Sequence, residues 1–525
     1  MDGTLPPLIE QMRQPQFYPH PVQEPIRLLQ THISYILLTG DYAYKVKKPV
    51  NFGFLDFTTL EKRQHCCQEE LRLNHRLSPA LYLDVLPLVE TAGHYAFATD
   101  ETGTVVDYTL KMHQFDQATL FSHLFQAGQL TATQLRSLAF LLATFHAEAA
   151  TDDEIRANGS VAAIRTVASN NYTLSEPFIG RTQTQAQYNE TRAFTTQFLT
   201  QHADWFLRRQ AQDKIRDCHG DLHLNNVCLY QDQIQIFDCI EFNAAFRHID
   251  VIYDMAFMVM DLAFQGRHDL ANIFLNTYLE ETGDYEGAAV LPLYLSMRAY
   301  IRANVNSLAL DDPAIATTEK SKFQKQAQAY YHLAWRYTHR SPGYLILMSG
   351  ISGSGKSTVA KQLAPQIQAI HLRSDAIRKH LAGLPIHQRG ANSLYTTEMT
   401  QATYGRLLEL GILLARQGWP VILDAKYDRV ALRTAAITAA NDANLSIQIV
   451  ECVAPPEVLR ERLQSRTGDI TDATVNLLEA QVNAAEPLNV EEQMIATTLP
   501  TDQPIEISLT ELLQKLSTSD FSYPD

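Results

Sequence analysis

The sequence predicts an α/β protein of more than one domain, and three observations carry that expectation. Its 525 residues amount to two to four domains at roughly 100–200 residues each. From Tyr344 onward, apolar strands (YLILM, PVILD, SIQIVECV) alternate with helical segments, the pattern of a doubly wound parallel sheet. Before that point, strand-like runs give way to a long stretch of helical period, the layout of an α+β domain.

In chain order, HISYILLTG and DYAYKVKKPV flank a Gly-Asp turn and predict a hairpin. From Thr59 to Leu77 charges and leucines recur at helical spacing, and Ser78-Pro79 stops the run. LYLDVLPLVE, HYAFATD and VVDYTLKMHQF then read as strands, so the first ~115 residues form a small sheet carrying one helix. The stretch 118–212 is mostly helical in period. Two short strands, NNVCLY and IQIFDCI, precede helices that continue to Arg340. Ser341-Pro342-Gly343 ends the helical run and marks the domain boundary, giving domains 1–340 and 343–525. The final STSDFSYPD reads as a loose tail.

A hydrophobic fraction of 46% and a charged fraction of 19% exclude a disordered or fibrous chain. Lys plus Arg number 43 against 58 Asp plus Glu, a formal charge of −15, which counts against nucleic acid or an anionic membrane as the main partner. No apolar run reaches the ~20 residues of a membrane span, and MDGTLPPLIEQMRQ lacks the layout of a signal peptide, so a cytoplasmic protein is expected. The six cysteines include no C-x-x-C pair and are expected to be free, buried thiols.

Gly350-Ile-Ser-Gly-Ser-Gly-Lys356-Ser357 matches G-x-x-x-x-G-K-[ST], the Walker A pattern, between a strand and the helix TVAKQLAPQI. Backbone N–H groups of Gly350, Ser352, Gly353, Ser354 and Gly355 can converge on phosphates at the helix start, beside Thr358. Lys356 supplies a cation, and the Ser357 hydroxyl can bind Mg²⁺. Strand PVILD delivers Asp424 to the phosphate side of the sheet, as a Mg²⁺ partner or as an ordinary capping residue. In IHLRSDAIRKHL, Asp375 and Arg378 stand three apart at a helix start. An acceptor hydroxyl needs a base and a phosphate needs an arginine; the alternative is a helix-capping Asp375 and a surface Arg378. In LRERLQSRTGD, Arg460, Arg462 and Arg466 can close over a transferring phosphoryl group or form a solvated helix face.

This C-terminal segment, about residues 343–510, resembles the small P-loop kinases of metabolites and nucleic-acid ends, including gluconate kinase, the zeta toxins and the kinase half of phage polynucleotide kinase. SDAIR is similar to the acceptor site of polynucleotide kinase, which implies Asp375 as the base and Arg378 as an acceptor-side or transition-state clamp. RTGDITDATVNLLEAQ resembles the lid region of kinases in this group. No motif specifies the acceptor.

A second constellation lies upstream. His219-Gly-Asp221-Leu-His-Leu-Asn-Asn226 precedes the strand NVCLY, and the strand IQIF delivers Asp238. Two strands separated by a turn thus present Asp221, Asn226 and Asp238 along one edge. Phosphoryl transfer needs a carboxylate to orient a hydroxyl, with an amide and a second carboxylate for Mg²⁺.

These motifs resemble the aminoglycoside phosphotransferase family over roughly residues 25–310. The resemblance implies a protein-kinase-like, two-lobed α+β fold, with a small lobe at about 25–115 and a large lobe at about 116–340. It also implies Asp221 as the catalytic carboxylate, Asn226 and Asp238 as Mg²⁺ ligands, and His219 as a structural support. Lys45 falls at the ATP-binding lysine, with Glu70 as its ion-pair partner; Lys47 shares the strand face, and the choice between them is open. Arg247, Asp250 and Asp254 match a region that buttresses the catalytic loop. No G-x-G-x-x-G loop precedes Lys45, as is common in this family. Acceptor pockets in the family vary, so its name does not identify the substrate.

The sequence therefore predicts a bifunctional enzyme with one site per domain, each passing the γ-phosphoryl group of Mg-ATP to a hydroxyl of a small molecule. Two alternatives stand beside it. One is a P-loop kinase or NTPase regulated by a nucleotide-binding, weakly active kinase-like domain. The other is a nucleic-acid 5′-hydroxyl kinase, which rests on Asp375 and Arg378 and is weakened by the acidic charge.

Overall fold

A computed structural model describes residues 5–53, 55–98, 103–312, 315–390, 392–465, 470 and 478–518. The chain divides into two compact units. The first comprises Met1–Ser137, Thr144–Ile164 and Asp204–Met258; the second comprises Leu138–Ala143, Arg165–Ala203 and Val259–Asp525.

In the first unit, β1 (Arg27–Gln30), β2 (Ser34–Leu38), β3 (Tyr42–Lys47), β4 (Tyr82–Thr91), β5 (His94–Phe97) and β6 (Thr104–His113) form an antiparallel sheet of order β1-β2-β3-β6-β4-β5. The β2–β3 hairpin turns through Gly40, whose φ of +107° belongs to the region glycine favours. Alternation along β3 separates two tasks. Tyr44 and Val46 join Ile9 and Met12 of helix α1 (Pro7–Met12) in an apolar cluster with Leu37, Leu88 and Phe97. Lys45 and Lys47 lie on the other face.

That other face meets helix α2 (Leu60–Asn74), which starts where the Thr59 hydroxyl accepts the Lys62 N–H at 3.3 Å. The buried residues Arg63, Cys66, Cys67, Glu70, Leu73 and Asn74 recur at helical spacing, so charged groups fall on the inward face and need partners. Two further ladders shape the loops beyond the sheet: β7 (Ile215–Asp217) with β10 (His248–Asp250), and β8 (Val227–Tyr230) with β9 (Gln233–Ile236), both antiparallel.

The second unit contains a parallel sheet of β11 (Leu345–Ser349), β12 (Ile370–Arg373), β13 (Val421–Asp424), β14 (Ile447–Val453) and β15 (Ala496–Pro500), in the order β12-β13-β11-β14-β15. Its five strands are parallel because helices return the chain after β11, β12, β13 and β14. Ile346, Met348, Ile422 and Val450 pack with Val359, Leu363 and Leu512 in one core. The order places β11 between β13 and β14: the chain passes from β11 to the edge strand β12 and back to β13 on one side, then crosses to β14 and β15 on the other. Ligand crevices open at the carboxyl ends of strands beside such a reversal. The same unit holds the helices Gln185–Gln201, His268–Thr282, Gly287–Leu308 and Thr317–Arg336, and Ser341-Pro342-Gly343 links the last of these to β11.

The chain is thus a multidomain α/β protein with an antiparallel sheet carrying one helix and a doubly wound parallel sheet. All six cysteines are free and buried. Among the described residues no helix is long and apolar enough to cross a membrane. The expected loose tail falls mostly outside the described residues, since the last helix runs through Ile505–Thr518.

Candidate active sites

In the first unit, β3, α2 and the segment after β9 bring five charged side chains together. Lys45 Nζ lies 2.7 Å from Glu70 Oε1 and 2.7 Å from Asp238 Oδ1. Lys47 Nζ lies 2.7 Å from Glu70 Oε2 and also bonds Glu241 Oε1. The side chains of Lys47 and Glu70 are 1% and 0% exposed, whereas those of Lys45 and Asp238 are 11% and 45% exposed. Both candidate lysines therefore share Glu70, but Lys45 is the one that reaches Asp238 and the accessible side.

The network fixes charge states. Burial pushes the Glu70 carboxyl up, but Lys45 and Lys47 outweigh it and hold the group at about 2, against an ordinary 4.5. Burial likewise opposes the Lys45 charge, and Asp238, Glu70 and Glu241 more than restore it. Because the folded pKa of Glu70 is depressed, its contribution to stability is full above pH 4.5 and is lost as pH falls through about 2. Thermal unfolding followed across that interval is expected to show a decline in stability that is shallower in Glu70→Gln.

Asp221 and Asn226 sit on the loop between β7 and β8. Asn226 Nδ2 donates to the Asp221 backbone oxygen at 2.9 Å and to Asp221 Oδ2 at 3.1 Å. His223 Nε2 is 3.4 Å from Asp221 Oδ2. The loop is held from behind by Asp254, fully buried, whose two oxygens accept the His219 and Gly220 N–H groups at 3.0 and 2.8 Å. His146 Nε2 lies 3.1 Å from the same carboxylate. Gly220, at φ +89°, leaves no room for a side chain, since a Cβ there would come within 2.9 Å of the Phe246 carbonyl oxygen. Burial lowers the His219 pKa and favours the neutral ring, and its Nε2 lies 3.0 Å from the Phe237 carbonyl oxygen. Arg247 pairs with Asp217 at 2.7 Å, and Arg209 with Asp250 at 2.7 Å. His146, Cys218 and Asp254 come close enough to invite a metal reading, but Asp254 is already committed to two amides and a histidine.

Asp238 adopts a left-handed backbone, φ +62°, uncommon for a residue with a side chain. The Asp238 N–H donates to the Tyr82 hydroxyl at 3.2 Å, and the Cys239 N–H donates to Asn74 Oδ1 at 2.9 Å. Arg76 NH1 and NH2 donate to the Asp217 and Cys218 carbonyls at 2.7 and 3.1 Å. Sequence reading singled out none of Asn74, Arg76, Tyr82 or Glu241, because each acts through distant partners. The one local signal was Glu241, a second carboxylate three residues beyond Asp238. Asn226 and Asp238 offer an amide and a carboxylate oxygen, hard donors whose chemistry fits Mg²⁺.

In the second unit, the glycine-rich loop runs from the end of β11 into the helix Lys356–Gln366, with Gly350, Gly353 and Gly355 at φ +133°, +85° and +87°. A Cβ at Gly350 would lie 2.5 Å from the Cys452 carbonyl oxygen. Gly350→Ala is therefore expected to distort the loop and weaken nucleotide binding at least tenfold, measured by titration with a fluorescent nucleotide. Lys356 Nζ curls back to donate to the Ile351 carbonyl at 3.0 Å. Burial lowers its pKa, while the Asp424 and Asp375 charges act to raise it. Both carboxylates therefore act electrostatically on the loop lysine. Ser357 and Thr358 follow in the first turn, half-buried and exposed. The Ser352 N–H donates to Gln481 Oε1 at 3.0 Å, and the Thr501 hydroxyl donates to the Ser354 carbonyl at 2.8 Å.

Asp424 ends β13. His371 Nε2 lies 3.0 Å from its Oδ2, and Arg373 Nε lies 3.9 Å away. Burial pushes this carboxyl up, and His371, Arg373 and Lys356 overcome that to hold it below the ordinary value. The Asp424 carboxylate and the Ser357 hydroxyl are hard oxygen donors that fit Mg²⁺. Asp375 stands in the first turn of the helix Ser374–Leu381. Arg378, 7% exposed, donates from NH1 to the Leu394 carbonyl at 3.0 Å and to Thr400 Oγ1 at 3.3 Å, and its guanidinium lies over Tyr395 at 4.9 Å. Arg462 NH1 donates to the Gly353 carbonyl at 3.3 Å and to Thr501 Oγ1 at 3.1 Å, which brings it to the loop. Arg460 is exposed. Arg466 and most of RTGDITDATVNLLEAQ lie outside the described residues.

Residues 345–488 match the family model described as AAA domain. The chain carries a P-loop nucleotide-binding domain there. The matched range contains the glycine-rich loop, Asp375, Arg378, Asp424 and Arg462. Uncharacterized proteins of Mycobacterium tuberculosis and Mycobacterium bovis are each 29% identical over 469 residues, 88% of this chain and 91% of the relative. That alignment is longer than either predicted domain, so it runs through parts of both. Among solved structures, a gluconokinase from Sinorhizobium meliloti 1021 is 22% identical over 35% of this chain and 99% of its own, with a TM-score of 0.25. The Mycobacterium tuberculosis APS kinase in complex with AMPPNP and APS is 21% identical over 34% and 99%, TM-score 0.26. An amicoumacin kinase is 12% identical over 61% and 92%, TM-score 0.36.

Proposed function

We propose that this chain is a bifunctional ATP-dependent phosphotransferase, with one site in domain 1–340 and one in domain 343–525, each passing the γ-phosphoryl group of ATP to a hydroxyl of a small molecule. The observation that carries the reading is that β3, α2 and the loop after β9 converge on Lys45, Glu70 and Asp238 at 2.7 Å contacts. Asp221 and Asn226 are joined on the β7–β8 loop of the same unit. A phosphate-binding loop with its own lysine and carboxylate, in the second unit, supports the second activity.

At the first site Lys45, oriented by Glu70, binds nucleotide phosphate, and Asp221 orients the acceptor hydroxyl. The acceptor oxygen bonds to the γ-phosphorus, the bond to the β,γ-bridging oxygen breaks, ADP departs and the proton passes to Asp221. At the second site, backbone N–H groups of residues 350–355 and Lys356 hold the phosphates. Asp375 takes the hydroxyl proton, and Arg378, Arg462 and Arg466 serve the phosphoryl group. Mg²⁺, held by Asn226 and Asp238 in one site and by Ser357 and Asp424 in the other, neutralises phosphate charge when bound.

The acidic balance of the chain favours small acceptors over nucleic acid, and a cytoplasmic location suits the use of ATP. Calorimetric titration with Mg-AMPPNP tests the number of sites. Two equivalents are expected for the wild type, and one each for Lys45→Met and Lys356→Ala. A single equivalent in the wild type contradicts the two-site reading.

A further inference from the structure

We propose that Lys47 and Glu241 form a positioning clamp that keeps the 238–241 segment in its metal-binding geometry when Lys45 turns to the nucleotide. The inference rests on the reading of Asp238 as the Mg²⁺ carboxylate. It assigns work to a buried ion pair that this reading does not otherwise need.

Lys47 and Glu241 are 1% and 5% exposed at the side chain. Withdrawing two charges from water is expensive, and an apolar pair of similar volume in the same wall is often equally or more stable. Lys47 is not needed to give Glu70 a partner either, since Lys45 already bonds one of its oxygens at 2.7 Å. Stability and charge balance therefore leave the pair unexplained.

Its placement supplies a reason. Asp238 holds a left-handed backbone at φ +62°, a conformation that persists where surrounding contacts over-determine it. Lys45 fastens the Asp238 carboxylate at 2.7 Å. Phosphate and metal compete for those same two groups, so that fastening is surrendered when nucleotide binds. Three residues on, Lys47 fastens Glu241 from the same strand face, with its ammonium 4.8 Å from the Phe57 ring centroid and its other carboxylate contact on Glu70 of α2. Asn74, also on α2, takes the intervening Cys239 N–H at 2.9 Å. Strand, helix and loop thus stay joined at residues 239 and 241 while residue 238 is released to its ligand.

The test uses the full chain with Lys356→Ala, so that the N-terminal site dominates nucleotide binding. Titrations with AMPPNP are run across a series of Mg²⁺ concentrations. Lys47→Met/Glu241→Gln removes both charges together and strands neither. It is expected to weaken Mg-AMPPNP binding about tenfold or more and to shift the Mg²⁺ dependence to higher concentration, with a much smaller effect on AMPPNP without metal. Glu241→Asp keeps the charge, shortens the arm and gives the same shift in smaller measure. It carries the test alone if the double variant does not fold. Wild-type Mg²⁺ dependence in whichever of these is folded overturns the clamp. Asp238→Asn is the control: if it leaves the Mg²⁺ dependence unchanged, the assignment of the metal carboxylate itself fails.

Discussion

Asp221→Asn is expected to remove acceptor phosphorylation at the N-terminal site by about 10²–10⁴-fold, the range contributed by a positioned acid or base, while nucleotide binding stays near the wild-type value. The separation follows from the proposed roles, in which Lys45, Glu70 and Asp238 serve the nucleotide and Asp221 orients the acceptor hydroxyl. Asn226 bonds the Asp221 backbone oxygen as well as its carboxylate, so the loop keeps one anchor when the side chain becomes an amide. The Asp254 carboxylate continues to hold the His219 and Gly220 amides. A variant that binds Mg-AMPPNP normally and fails to turn over isolates the role of the carboxylate, and kcat rather than the KM for ATP is the quantity to read.

Lys356→Ala is expected to abolish the other activity through binding and turnover together. The lysine is buried at the head of its helix, and its ammonium donates to the Ile351 carbonyl of the loop at 3.0 Å. Removing it leaves the phosphates to backbone amides and lowers turnover by roughly 10²–10³-fold, the loss typical of deleting one preorganised donor. Products made by the N-terminal site should persist at wild-type yield, measured in the same reaction mixture.

Much of this architecture was legible because it is written in local pattern. The β2–β3 hairpin announces itself by alternation around Gly40-Asp41, α2 by its periodic leucines and charges, and the phosphate loop by glycines at fixed spacing before a lysine. The pairing of Lys45 with Glu70 was implied by a family resemblance rather than by spacing, and the structure places the two groups 2.7 Å apart, with the Asp238 carboxylate on the same ammonium. What escaped reading is what depends on partners far along the chain. β7 and β10 are three residues each, too short for a periodic signal. Asn74 and Tyr82 bind backbone N–H groups 165 and 156 positions away, a relation that neither composition nor spacing encodes. Lys45 and Lys47 are equivalent by alternation and separate only when their surroundings are seen: one opens on Asp238, the other is sealed between two glutamates. Arg378 is a further case: its contacts with the Leu394 carbonyl and the Tyr395 ring are made to residues sixteen and seventeen positions on, which the spacing of Asp375 and Arg378 does not reveal.

Whether two phosphotransfer sites share one chain is read most directly by following label from γ-labelled ATP into a small-metabolite extract, in parallel with wild type, Asp221→Asn and Lys356→Ala. Labelled products in the wild type are expected to divide into two groups, one lost with each substitution, with any product lost in both marking consecutive steps. Label released only as inorganic phosphate, or one set of products that survives both substitutions, would contradict the two-site reading.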